Sequence, residues 1–273
     1  MAERDVVVVG ATGAVGRTML SILEARNFPV GELRLMASAR SAGQKVSTRW
    51  GEIEVEDLVD ANPAGMDIAL FSAGGARSKE HAPRFVEEGV LVVDNSSAFR
   101  MDPDVPLVVA QVNDHAAADH QGIIANPNCT TMVLMMAAGP LHRTHRIRRM
   151  VATTYQSVSG SGMAGMEGLA DEAAALIKDR DALAKGGWVD PSEGLYERPI
   201  GFNVLPMAGT VTEHGYTDEE WKLVNETRKI LDAPDIAVEP TCVRVPVMVG
   251  HGIAASIFFD RPLDAATARA ALG

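Results

Sequence analysis

Cys129 is one of two cysteines in 273 residues, and its setting, Asn126-Pro127-Asn128-Cys129-Thr130-Thr131, is one in which a thiol can act as a nucleophile. Residues 123–125 read as the end of a buried strand and residues 132–138 as an apolar helix, which places the sulfur at a helix N-terminus. There the positive end of the helix dipole favours a thiolate. A free thiol titrates at about 8.5, so a site built on Cys129 must lower that value or supply a base. The competing reading of the same hexapeptide is a small buried hydrophobe. His251, in the loop Val249-Gly250-His251-Gly252, is a candidate base, since imidazole titrates at about 6.5. A single loop histidine is more often incidental. Arg244 lies in an apolar strand-like run, residues 241–247, and Pro246 and the glycines let the chain turn so that Arg244 and His251 can face one pocket. Cys242, alone in that run, reads as core.

The elements that would position these groups begin at the N-terminus. Residues 5–9 carry four valines, as expected of a strand buried on both faces, and Gly10-Ala11-Thr12-Gly13-Ala14-Val15-Gly16 follows at once. Val15, Met19, Ile22 and Leu23 then recur at helical spacing. A strand, a glycine turn and a helix form a unit whose helix N-terminus can receive a pyrophosphate. The next strand, 33–37, ends in Ser38-Ala39-Arg40-Ser41, about where NAD-binding folds place an acid on the ribose hydroxyl. A guanidinium and hydroxyls suit a 2′-phosphate instead, so NADP is preferred to NAD. Strand-like runs at 66–71, 90–93 and 107–109, separated by helix-compatible stretches such as 78–88, argue for a doubly wound parallel sheet. Ser72-Ala73-Gly74-Gly75 and the loop 94–100, ending in Arg100, fall on its ligand-binding edge. A second domain follows a boundary placed near residue 132. It contains a strand at 150–156, the run Ser157-Val158-Ser159-Gly160-Ser161-Gly162, a helix over 165–184, a loop marked by Gly186, Gly187 and Pro191, and a helix over 217–231. On that last helix Glu219 and Lys222 are three apart, the spacing of a surface ion pair worth about 0.2–0.5 kcal/mol.

Composition excludes several classes. With 47% hydrophobic and 22% charged residues the chain can bury a full core. A net charge of −11 argues against nonspecific binding of nucleic acid or anionic membranes. Two cysteines make no disulfide framework, the start MAERDVVVVG has no secretory build, and no apolar run approaches the ~20 residues of a membrane span. No metal-ligand spacing is present. A reduced, cytoplasmic setting is expected. A strand at 252–260 and a helix at 265–272 close the sequence, and a helix with so few apolar neighbours suggests a C-terminal truncation.

Nine segments in order, GATGAVG, ASARSAG, ALFSAGG, VVDNSSAFR, NPNCTT, TYQSVSGSG, YTDEEWK, NETRKI and CVRVPVMVGH, resemble the aspartate-β-semialdehyde dehydrogenases and span Gly10 to His251. The resemblance implies an α/β protein: a Rossmann-type NADP-binding domain, residues 1–132, and an α+β catalytic and dimerisation domain, residues 133–273, forming a homodimer. It implies an NADP-dependent interconversion of 4-phospho-L-aspartate and aspartate semialdehyde through a Cys129 thioester, with His251 as acid/base. The pathway leads to lysine, threonine, methionine, isoleucine and diaminopimelate. Gln156 would orient the bound intermediate, Arg244 bind the substrate carboxylate, Glu219 its ammonium, and Arg100 and Lys222 the phosphate. The cofactor would lie on Gly10, Thr12, Gly13, Ala14, Val15, Arg40, Ser41, Ser72, Ser159 and Gly160. Two departures stand out. Gly252 occupies a position where that family usually has serine, and the family continues past Gly273 with a strand and a helix carrying a cofactor-side asparagine. Alternatives are N-acetyl-γ-glutamyl-phosphate reductase or glyceraldehyde-3-phosphate dehydrogenase, a non-catalytic NADP-binding protein, and a cysteine hydrolase that would leave the glycine loop unexplained.

Overall fold

The computed structural model describes residues 2–186 and 194–273, and the chain divides into two compact units, Met1–Asn128 and Cys129–Gly273. The division falls at the first residue of the cysteine helix rather than three residues inside it, because the strand before Cys129 still belongs to the first sheet. The end of the loop expected around Gly186, from Gly187 through Pro191, lies outside the described residues.

The first unit runs β1 (Arg4–Val9), α1 (Ala14–Ala25), β2 (Val30–Ala37), β3 (Lys45–Thr48), β4 (Gly51–Asp57), β5 (Ile68–Phe71), α2 (Gly75–Glu87), β6 (Leu91–Asp94) and β7 (Ile123–Ala125). The strands form one sheet in the order β3-β4-β2-β1-β5-β6-β7, parallel throughout except for the β3–β4 hairpin. The valines of β1 explain its central place. Val6 and Val8 pack with Leu20, Leu33 and Leu35 on one face. Val7 and Val9 pack with Met36, Phe71 and Phe85 on the other, where the two phenylalanine rings meet edge to face at 4.9 Å. Strand order reverses between β1 and β5, so the loops leaving these two strands lie side by side at the switch point where α/β sheets take their ligands.

The second unit runs α3 (Cys129–His145), β8 (Ile147–Gln156), α4 (Gly162–Leu176), α5 (Arg180–Ala184), α6 (Asp218–Ile230), β9 (Ala237–Arg244), β10 (Gly252–Phe259) and α7 (Ala265–Leu272). Its sheet has the order β10-β8-β9, with β8 antiparallel to β10 and parallel to β9. Met150, Ala152, Thr154 and Gln156 of β8 are buried while Tyr155, between them, is 45% exposed. That period of two leaves one face of the sheet for the helices, α3 meeting β8 and α6 meeting β9.

Four local expectations change. The hairpin β3–β4 was not anticipated. Residues 107–109 form only an isolated bridge, Leu107 with Ala125, because Pro106 has no N–H to extend a ladder. The helix expected over 165–184 is two helices, starting at Gly162 and broken after Leu176, with Asp179 accepting from the Ala182 N–H to start the second. The strand expected over 241–247 begins at Ala237 and ends at Arg244, since Pro246 cannot pair as a donor.

Candidate active site

The first unit supplies a cradle. Gly10 has φ +85°, and a Cβ there would lie 2.3 Å from the Ser72 carbonyl oxygen, so only glycine lets the β1 and β5 loops touch. Gly16 is equally constrained: a Cβ would sit 2.2 Å from the Gly10 carbonyl oxygen, so α1 can approach the turn only without one. The first turn of α1 carries no acidic residue, and no side chain caps it at Gly13. Its N–H groups and the helix dipole are therefore available to an anion, which fits a dinucleotide pyrophosphate. Ala14 and Val15 open that helix, and Thr12 beside it donates its hydroxyl to Ser41 Oγ at 3.1 Å. Arg40 is exposed next to that pair.

Arg100 behaves differently from a solvated loop residue. It is 8% exposed, and its Nε and Nη2 donate to the Asn126 and Asn95 carbonyl oxygens at 2.8 and 2.9 Å. Asn126 Nδ2 also donates to Asn95 Oδ1 at 2.6 Å. The guanidinium thus ties the segment before Cys129 to the loop after β6, a structural task that sequence inspection does not reveal.

In the second unit α3 starts at Cys129, whose side chain is exposed. His251, 122 residues later, brings Nε2 to 3.1 Å from Cys129 Sγ. Burial, and then the positive charge of Arg244, holds this imidazole below the usual histidine range, so the ring is neutral at pH 7. Its Nδ1 accepts from the Ser157 backbone N–H at 3.0 Å. Gly252 offers the ring no hydroxyl; Ser157 brings one, its Oγ lying 3.2 Å from Nδ1. The second cysteine is inert by comparison: Cys242 is fully buried, and burial pushes its thiol up to about 11.

Arg244, at the end of β9, is 7% exposed and donates from Nη1 to the Ser157 carbonyl oxygen at 2.8 Å. Its Nε is buried without a hydrogen-bond partner among the described residues. A buried cationic donor left unsatisfied is costly unless a ligand completes it. Gly160 sits against the same groups, since a Cβ on it would be 3.0 Å from Arg244 Nη1 and 3.9 Å from His251 Cε1. Ser159 joins through its hydroxyl, 2.9 Å from that of Ser157. Gln156 is 1% exposed, with Nε2 donating to Thr154 Oγ1 at 3.2 Å.

Helix α6 is fixed by a capping box between Thr217 and Glu220, and Glu220 also accepts from the Cys242 N–H at 3.0 Å, which ties the helix to β9. It presents Lys222 with Nζ 2.7 Å from both Asp218 and Glu219. Burial opposes the ammonium charge, but the two carboxylates outweigh it and hold Lys222 above its usual value. Glu219 is 15% exposed at its side chain and Lys222 27%, less open than an ordinary surface pair. Ser157 and Gly16 are the functional candidates that sequence inspection did not single out. Gly16 was visible as the third glycine of its motif, but nothing local links Ser157 to a histidine 94 residues away.

Two family models cover most of the chain: the semialdehyde dehydrogenase NAD-binding domain matches residues 5–120, and the semialdehyde dehydrogenase dimerisation domain matches residues 139–273. The aspartate-semialdehyde dehydrogenase of Streptomyces akiyoshiensis is 52% identical over 94% of this chain and 77% of its own length. That of Mycolicibacterium smegmatis is 49% identical over 95% and 78%. Among solved structures, aspartate semialdehyde dehydrogenase II of Vibrio cholerae superposes with a TM-score of 0.91 at 42% identity, covering 98% of this chain and 78% of that one. A second structure of it, complexed with ASA, gives the same TM-score and identity over 99% and 79%. With both domain models matched and half of its residues shared with relatives over nearly its whole length, the chain belongs to the aspartate-semialdehyde dehydrogenase family of oxidoreductases.

Proposed function

We propose that this chain interconverts L-aspartate 4-semialdehyde and 4-phospho-L-aspartate, with NADP as hydride carrier and phosphate as co-substrate, in the aspartate pathway of amino-acid biosynthesis. The observation that carries the reading is the Cys129–His251 contact of 3.1 Å at the start of a helix. In the oxidative direction the Cys129 sulfur attacks the aldehyde carbon, forming a C–S bond and an alkoxide. NADP, which Gly10, Thr12, Gly13, Ala14 and Val15 would hold, would supply the two-electron acceptor when bound, so that loss of hydride from that carbon leaves a thioester on Cys129. Phosphate then attacks the thioester carbon, the C–S bond breaks, and the acyl phosphate departs. His251, whose Nε2 lies 3.1 Å from the sulfur, takes the thiol proton as the bond forms, lends it to the oxygen on which charge develops and takes it back when the carbonyl reforms.

The remaining roles follow from chemistry. Arg244, with an unsatisfied buried N–H, receives the substrate α-carboxylate in a planar fork. Gln156 orients the acyl group without competing for protons. Glu219 receives the substrate ammonium and Lys222, with Arg100, the phosphate; the existing Lys222–Glu219 pair keeps both charges balanced in the absence of ligand. Gly10, Thr12, Gly13, Ala14 and Val15 hold the pyrophosphate, Arg40 and Ser41 the 2′-phosphate, and Ser72, Ser159 and Gly160 line the nicotinamide side. The NADP preference rests on Arg40 standing where an acid would select NAD. A homodimer formed through the second unit agrees with its matched dimerisation model and with exposed Tyr155 and Phe258. A reducing, cytoplasmic setting suits a site that needs a free thiol, and among the described residues no helix is long and apolar enough to cross a membrane.

The test is Cys129→Ala. NADPH formation should be lost while NADP affinity stays within about twofold; retained turnover would end the nucleophile assignment.

A further inference from the structure

Arg244 is held by more than its own strand. Its backbone N–H and carbonyl exchange hydrogen bonds with Leu205 at 2.8 and 2.9 Å, and its Nη1 is fixed on the Ser157 carbonyl. A third contact comes from half-buried Tyr196: Arg244 Cζ stands over the ring, 5.7 Å from its centroid. A ring face at that distance attracts a cation without spending a conventional hydrogen bond, so the unsatisfied Nε–H stays available to a ligand. The ring is itself braced. Its hydroxyl donates to Ser161 Oγ at 2.9 Å, and its body packs on the buried cluster of Val158, Leu169 and Ile200. Helix α4 leaves room for the hydroxyl with a glycine, since a Cβ on Gly165 would lie 3.2 Å from Tyr196 Oη and 2.4 Å from the Val158 carbonyl oxygen. The segment that carries Tyr196 is fixed by Glu172 of α4, whose Oε2 accepts from the Ile200 and Gly201 N–H groups at 2.6 and 2.8 Å. A cavity of about 450 Å³ opens against Arg244 and Tyr196 together, with Leu205, Met207 and Thr210 also on its walls.

We propose that Tyr196 is a positioning residue for Arg244: its ring, braced by Ser161, holds the guanidinium in place before the carboxylate of a ligand arrives. The proposal rests on the reading of Arg244 as the group that receives the substrate carboxylate. An arginine side chain has many rotamers, and a carboxylate that meets a loose one loses affinity to the ordering it must impose. A guanidinium already set by a ring and a carbonyl avoids that loss. A protein carboxylate would hold the arginine more tightly, but it would take up the N–H fork that the substrate needs and neutralise its charge. An aromatic face does neither. The phenol hydroxyl acts one step further back, by fixing the ring. Since the carboxylate stays bound while the aldehyde carbon reacts, the contribution of Tyr196 belongs to substrate binding and so to KM.

The experiment compares the full chain with Tyr196→Leu, which removes the ring but keeps apolar bulk, and Tyr196→Phe, which keeps the ring and loses only the bond to Ser161. With NADPH formation as the assay, Tyr196→Leu should raise KM for aspartate semialdehyde about 5- to 30-fold. Its kcat and its KM for phosphate should stay within about twofold of wild type, and Tyr196→Phe should restore most of the affinity. A second reading needs neither substrate nor turnover: in ¹⁵N-arginine-labelled chain, with Arg244→Lys to assign the signal, the Arg244 Nε–H proton should be shifted by the ring in wild type and Tyr196→Phe and lose that shift in Tyr196→Leu. An Arg244 signal placed alike in wild type and Tyr196→Leu would overturn the proposal. So would a KM that Arg244→Lys raises and Tyr196→Leu leaves alone. If the signal moves while neither variant changes KM, the ring still positions Arg244 and it is the carboxylate reading of Arg244 that falls. Should Tyr196→Leu not fold, the wild-type spectrum decides, and an Arg244 Nε–H lying among those of exposed arginines would overturn the proposal.

Discussion

Replacing Arg244 with lysine separates two jobs that the structure gives one side chain. The guanidinium is 7% exposed, spends Nη1 on the Ser157 carbonyl and leaves a buried Nε–H unsatisfied. A substrate carboxylate would complete it with a pair of parallel charge-assisted bonds, of which an ammonium can keep only one. Loss of one such bond costs about 1.5–3 kcal/mol, which is a rise of roughly 10- to 150-fold in KM for aspartate semialdehyde. Because the carboxylate is bound alike before and during the chemistry, kcat should change by less than about threefold. The assay is initial NADPH formation over a range of semialdehyde concentrations at saturating NADP and phosphate. An unchanged KM with kcat down tenfold or so would refute the reasoning. It would mean that Arg244 serves to hold Ser157, and through it His251, and that the carboxylate is bound elsewhere.

Gly16→Ala would place a Cβ 2.2 Å from the Gly10 carbonyl oxygen and 2.8 Å from the Ala11 Cα. Neither backbone atom can yield cheaply, so denaturant unfolding should show a loss of about 1–3 kcal/mol and NADP titration a clear weakening; an unchanged protein would mean that α1 is not held against the turn. Arg40→Ala should weaken NADP about tenfold or more and leave NAD nearly alone, because only the 2′-phosphate meets the guanidinium. Equal effects on both nucleotides would place Arg40 in solvent. Stability should also fall on mild acidification. His81, His142 and His251 are all held below the ordinary histidine value, in each case chiefly by burial. The unfolded chain takes up these protons near pH 6.5 and the folded chain only lower, so melting temperature should start to drop as pH falls through about 6.5. A flat melting curve between neutral pH and the carboxylate range would contradict this.

What could be read from the sequence was whatever the chain states locally. Four consecutive valines ahead of a glycine turn announce a central strand and its helix, and the apolar run after Cys129 announces a helix with the thiol at its start. The β3–β4 hairpin was harder, because β3 is only four residues long, β4 alternates glutamates with Ile53 and Val55, and the pair turns on Arg49-Trp50 instead of an Asn-Gly pair. Pro140 lies inside α3, past the point where a sequence reading would stop the helix, because buried Ala138, Gly139 and Leu141 hold the chain in helical form across the missing N–H. Site geometry was legible in identity but not in connection. Cys129, His251 and Arg244 could each be named as reactive types, whereas the hydrogen bonds that define their states run to Ser157. That residue comes close to the ring only once β8 and β10 have paired, with Tyr155 opposite Gly252.

The central claim is best tested by following NADPH absorbance with aspartate semialdehyde and NADP, with and without inorganic phosphate. The account predicts sustained formation that requires phosphate, since only phosphate releases the acyl group from Cys129, and at most a single stoichiometric burst without it. Sustained formation independent of phosphate would contradict the thioester–acyl phosphate route. No formation at all from a folded, NADP-binding chain would contradict the assignment of this activity.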